Sequence, residues 1–136
     1  YQNSLGKLIA NHRLTAYPTP RLVPSIEKGI DDEKEKMEII REEINRIHDA
    51  EVDYLVLGCT HYPLWEVEIQ SYLGENVEMI NPAEGMAEEL GHHITWTRNI
   101  GGIEIYTSGD PDRYRRLIEK QLPALQRAQI AHVKLS

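Results

Sequence analysis

The chain has 136 residues, 15 Lys and Arg against 22 Asp and Glu, a formal charge of −7 and a single cysteine. Its length suits one ordinary domain that buries a core without covalent staples, and the lone thiol excludes an internal disulfide framework and any all-cysteine zinc site. The acidic balance argues against a nucleic-acid partner, and no apolar run nears the roughly 18 residues of a membrane span, so the sequence reads as a soluble globular chain.

Residues 1–11 place Leu5, Leu8 and Ile9 at a weak helical spacing, and residues 13–17 read as a short strand. Pro18, Pro20 and Pro24 favour extended or turn geometry, followed by one helical turn over 25–28 that Gly29 closes. The clearest helix covers 31–49, because Met37, Ile40, Ile44 and Ile47 repeat at three and four residues and share one face. Asp31, Asp32 and Glu33 suit the positive end of its dipole, and Asp32 with Lys36 and Glu42 with Arg46 are spaced for exposed ion pairs.

Residues 52–57 form a nearly continuous apolar run, which predicts a central parallel strand buried on both faces. A helix follows over 63–73 with Pro63 at its first position, then a strand over 77–80 and a helix over 82–90. Residues 99–102 are a turn, and 103–107 alternate like a strand. Asp110 is placed to cap a helix over 112–122 with Pro111 at its start, and 130–135 read as a last strand. Strands alternating with helices predict an α/β domain, three layers in α/β/α order around a mainly parallel sheet.

The segment 57–64, Leu-Gly-Cys-Thr-His-Tyr-Pro-Leu, joins the end of the most apolar strand to a helix start. In open α/β sheets ligands bind at that edge. Free N–H groups of the helix start would cradle a carboxylate beside Cys59, Thr60 and His61, and the same positive end favours the thiolate. Taken alone, a cysteine after an apolar strand reads as an inert core residue, and a single histidine as a structural one. Their conjunction on one loop between Gly58 and Pro63 points to a site instead.

Elsewhere the signals are weak. His92 and His93 are adjacent, so on a helix they diverge by about 100° and do not chelate one ion. His12, His48 and His132 lack a ligand-spaced partner, so no metal site is expected. Trp65 and Trp96 read as packing residues, Gly101-Gly102 as a turn and Glu84 as a helix-start carboxylate.

The segment 57–64 resembles the second cysteine motif of bacterial glutamate racemases. Residues 20–27, Pro-Arg-Leu-Val-Pro-Ser-Ile-Glu, resemble the family's Pro-x-x-Val-Pro-x-x-Glu element, and 106–111, Tyr-Thr-Ser-Gly-Asp-Pro, its C-terminal strand-to-helix turn. Two positions differ: Thr19 stands where the family has a cysteine, and Asn81 where it has an aspartate. The resemblance covers essentially the whole chain and implies one of the two similar domains of the family fold. Residues 1–93 would be the second domain without its first strand, and 94–136 a segment that returns to pack on a first domain.

The resemblance implies cofactor-independent interconversion of L- and D-glutamate in the cytoplasm, feeding peptidoglycan synthesis, through two thiols on opposite faces of the substrate Cα. Cys59 matches the second thiol, Thr60 and His61 match substrate-contacting positions, His61 also assists its cysteine, and Glu27 matches an auxiliary acid. With a single cysteine present, the implied partner is an N-terminal half of the enzyme, and the chain by itself would be inactive. A homo-oligomer is expected, as is exposed apolar surface around Ile103, Ile105 and Ile130. The competing readings are a racemase of aspartate or a related amino acid and a non-catalytic module derived from this half.

Overall fold

The computed structural model describes residues 13–94 and 102–134. The expected helix over 1–11, Trp96 and most of the turn at 99–102 lie outside these residues.

Helix α1 (Leu22–Lys28) begins three residues before the expected helical turn. Pro24 is accommodated because it falls in the first turn, where its missing N–H would have had no intrahelical acceptor. Gly29 ends the helix in the left-handed region at φ 65°, a conformation that costs a side chain energy, and its N–H returns to Ile26 O at 2.9 Å. Helix α2 (Glu33–His48) starts at Asp32, whose Oδ1 accepts from Glu35 N at 2.8 Å. Ile39, Ile40, Ile44 and Ile47 are buried along it, with Met37 half-buried. The two ion pairs expected from spacing do not form. Asp32 serves the cap, so Lys36 turns to Glu33 and to Glu68, both at 2.9 Å, and Glu42 pairs with Arg21.

Strand β1 (Tyr54–Val56) pairs in parallel with β2 (Glu78–Ile80), in the register Tyr54–Glu78, Leu55–Met79 and Val56–Ile80. The crossover runs through a 3₁₀ turn (Tyr62–Trp65) and α3 (Glu66–Leu73). Burial on both faces of β1 is not observed: Tyr54 is 57% exposed, and Leu55 and Val56 are half-buried. The apolar run demands neighbours on both edges, yet among the described residues β1 has a ladder partner on one edge only. A cavity of about 820 Å³ opens beside it, lined by residues that include Tyr17, Leu22, Ile44, Ile47 and Leu55. Residues 13–17 line that cavity as irregular chain rather than the expected strand, since they pair with no described strand.

The core is one cluster: Leu22 and Ile26 from α1, the four buried isoleucines of α2, and Trp65, Ile69 and Leu73 from the crossover. Helix α4 (Pro82–His93), capped by Asn81 through its bond from Ala83 N, has no buried residue and carries His92 and His93 in its last turn. His93 lies 3.0 Å from Glu89.

Strand β3 (Glu104–Thr107) pairs in parallel with β4 (Gln129–His132) across α5 (Pro111–Gln121). Asp110 caps α5 by accepting from Asp112 N at 2.9 Å, with Pro111 at the start as expected. The described strands therefore form two parallel pairs rather than one continuous sheet, while the α/β class stands. Ile103 is 47% exposed, as anticipated, whereas Ile105 and Ile130 face each other in register and are half-buried. Among the described residues no helix is long and apolar enough to cross a membrane, and no cluster of His, Cys, Asp and Glu is arranged to hold a metal ion.

Candidate active site

Leu57 is buried and donates its N–H to Ile80 O at 3.0 Å, which carries the β1–β2 ladder up to the edge of the loop. Gly58 then opens into free space, for no atom lies within 4 Å of where a Cβ would stand, so it is not held there by a close backbone approach. Cys59 follows as a free, half-buried thiol, not one sealed in the core. Its Sγ lies 3.7 Å from His61 Nδ1. On the far side of the ring, His61 Nε2 is 3.4 Å from Glu27 Oε1, and the other carboxylate oxygen of Glu27 accepts from Arg113 Nη2 at 2.5 Å.

Four side chains thus stand in file: thiol, imidazole, carboxylate, guanidinium. They come from the loop after β1, from α1 and from α5. The Glu27 carboxylate, 3.4 Å from Nε2 and related to it by charge rather than by a hydrogen bond, favours a proton on that nitrogen, which leaves the Nδ1 lone pair toward sulfur. From that position His61 can take the thiol proton and, as imidazolium, hold the thiolate by a charge-assisted bond.

The helix start offers less than the sequence suggests. Tyr62 N and Leu64 N already donate to Cys59 O at 3.2 Å and to His61 O at 3.0 Å, and Pro63 has no N–H. The N–H groups of Thr60 and His61 have no acceptor among the described residues, and Thr60 is exposed beside them. An incoming carboxylate would meet these two donors and the Thr60 hydroxyl.

The structure brings Cys59, His61 and Glu27 together and leaves Thr60 on the open side of the loop. Two elements escaped the sequence. Arg113 is 86 residues from Glu27, and its only local signal is its place in the first turn of a well-capped helix. Thr19 and Tyr62 share a hydroxyl–hydroxyl hydrogen bond of 2.5 Å that ties the loop to the chain entering α1. Below them Trp65 is fully buried, and its Nε1 has no partner among the described residues.

An α/β chain with a paired thiol and imidazole at the carboxyl edge of a parallel strand is the class that fold and site define. No protein-family model matches the chain. It is 32% identical over 108 residues to glutamate racemase 2 of Caldanaerobacter subterraneus subsp. tengcongensis, covering 76% of this chain and 41% of that one. It is 33% identical over 127 residues to the glutamate racemase of Mycobacterium tuberculosis, covering 88% and 47%. Among solved structures, glutamate racemase isoform RacE1 of Bacillus anthracis superposes with a TM-score of 0.84 at 25% identity, over 99% of this chain and 52% of that one. The Francisella tularensis glutamate racemase, solved in complex with D-glutamate, shares the fold at a TM-score of 0.73 and 23% identity, over 100% and 51%. The chain belongs to the glutamate racemase family, whose C-terminal half it matches, and it spans less than half the length of these curated relatives.

Proposed function

We propose that the chain is the C-terminal half of a cofactor-independent glutamate racemase and supplies one of its two proton-transfer thiols. The observation that carries this reading is the file of Cys59, His61 and Glu27 at the open end of β1, with the sulfur half-buried and within reach of the imidazole. Family membership and the D-glutamate complex of the Francisella relative support the substrate.

L-Glutamate binds with its α-carboxylate at the Thr60 hydroxyl and the N–H groups of Thr60 and His61, where negative charge develops as the α-proton leaves. His61 holds the Cys59 proton, so the thiolate takes the α-proton and becomes a thiol. A second thiol, on an N-terminal half, gives its proton to the opposite face and becomes a thiolate. Protons balance, and the configuration inverts. Residues 1–93 are the second domain of such an enzyme and 94–136 its returning segment. The exposed apolar residues of that segment, Ile103 at 47% and Tyr106 at 61%, support its packing on a first domain or on a second copy in a homo-oligomer. The product is D-glutamate for peptidoglycan, made in the cytoplasm.

A polypeptide carrying both halves tests the reading. Racemisation is followed by optical rotation, and Cys59→Ala is expected to abolish it while the far-UV circular dichroism stays unchanged. Retained turnover with an intact fold would refute the assignment.

A further inference from the structure

Helix α5 grips the end of α1 at two points. Lys120 Nζ donates to Gly29 O at 3.0 Å and to Asp31 Oδ2 at 2.7 Å, while Arg113 donates to Glu27. Arg113 and Lys120 are seven residues apart, two turns along one helical face, so a single docking of α5 satisfies both. The Asp110 cap and Pro111 set where α5 begins, and hence the height of Arg113 over Glu27.

Glu27 needs such a restraint. It lies in the last turn of a seven-residue helix, its side chain is one-third exposed, and its only described partners are His61 and Arg113. Without Arg113 the carboxylate would be free to rotate into water and leave the ring. The two contacts do not compete for one oxygen, since Oε1 faces His61 and Oε2 faces Arg113. Anchoring one oxygen thus fixes the plane of the other.

We propose that Arg113 is a positioning residue for the Cys59 thiol: by anchoring Glu27 it keeps His61 turned with Nδ1 on the sulfur. The proposal rests on the reading of Cys59 as a reacting thiol, and it makes the segment after residue 94 a contributor to the site rather than only a surface for another domain. An exposed charge pair has a modest effect by itself, so the expected effect on the thiol is a few-fold at most, not an abolition.

The 136-residue chain has a single thiol, so the rate of its alkylation by iodoacetamide at neutral pH, read by mass spectrometry, reports on Cys59 alone. Arg113→Ala is expected to slow alkylation about 1.5- to 5-fold, the range of one exposed charge pair. Glu27→Gln should slow it similarly, and Arg113→Ala added to Glu27→Gln should slow it no further, because both act through one carboxylate. Arg113→Lys should restore most of the rate. An unchanged rate in Arg113→Ala would overturn the proposal, as would effects of Arg113→Ala and Glu27→Gln that simply multiply. Far-UV circular dichroism and the melting temperature of each variant separate these outcomes from misfolding. Racemisation is not involved, so the cycle fails or stands independently of the Cys59→Ala test.

Discussion

Trp65 closes the turn that follows the Cys59 loop, and its indole is fully buried among the isoleucines of α2 and residues of α3. Trp65→Ala should cost about 3–5 kcal/mol, the range for deleting a large buried aromatic. That is a large part of the 5–15 kcal/mol typical of a domain, so this variant is expected to be only marginally folded. Trp65→Phe sets two effects against each other. The smaller ring leaves a partial void worth about 1–2 kcal/mol. It also removes the buried Nε1–H, which has no partner among the described residues and whose desolvation costs about 1–3 kcal/mol. The difference should leave Trp65→Phe between about 1 kcal/mol less stable and about 2 kcal/mol more stable than the parent. Urea unfolding followed by far-UV circular dichroism measures both variants. A Trp65→Phe cost equal to that of Trp65→Ala would refute the argument, for it would mean that the indole N–H contributes a satisfied bond.

Gly29→Ala should destabilise the chain by about 1–2 kcal/mol, because φ is 65° and the new Cβ would lie 2.9 Å from Lys120 Cδ; urea midpoints check this, and an unchanged midpoint contradicts it. Lys120, by its hydrogen bond first and its charge second, holds the Asp31 carboxyl below its ordinary value. A carboxyl with a depressed folded-state pKa contributes stability above its unfolded value, about 3.9, and loses it as pH falls through the folded value. The stability gap between the parent and Asp31→Asn should therefore be present at neutral pH and close under strong acid; a gap that widens on acidification would be contrary to this.

Elements written in local chemistry were legible. Asp110-Pro111 announces α5, and the isoleucine spacing of 40, 44 and 47 announces the buried face of α2. What depends on partners distant in sequence was not. The run 52–57 carries the composition of a strand enclosed on both sides, but whether neighbours exist is not encoded within it, and Tyr54 stands exposed. Ion-pair spacing on α2 misled for the same reason: the Asp32 carboxylate is claimed by the cap, and Lys36 finds Glu68 on another helix. At the site, the Cys59–His61 pair is local and was visible. Glu27 entered only through a family resemblance, and Arg113 could not be found at all, because an 86-residue separation leaves no pattern.

In the proposed reaction Cys59 exchanges a proton with one face of the glutamate Cα. Proton magnetic resonance in deuterated water reads this in a polypeptide carrying both halves, by following loss of the α-proton signal from each enantiomer. In the proposed mechanism each thiol serves one face. Cys59→Ala should therefore abolish α-proton exchange from L-glutamate, while D-glutamate still exchanges at the opposite thiol without inversion. Continued exchange of the L-enantiomer by a folded Cys59→Ala protein would contradict the account.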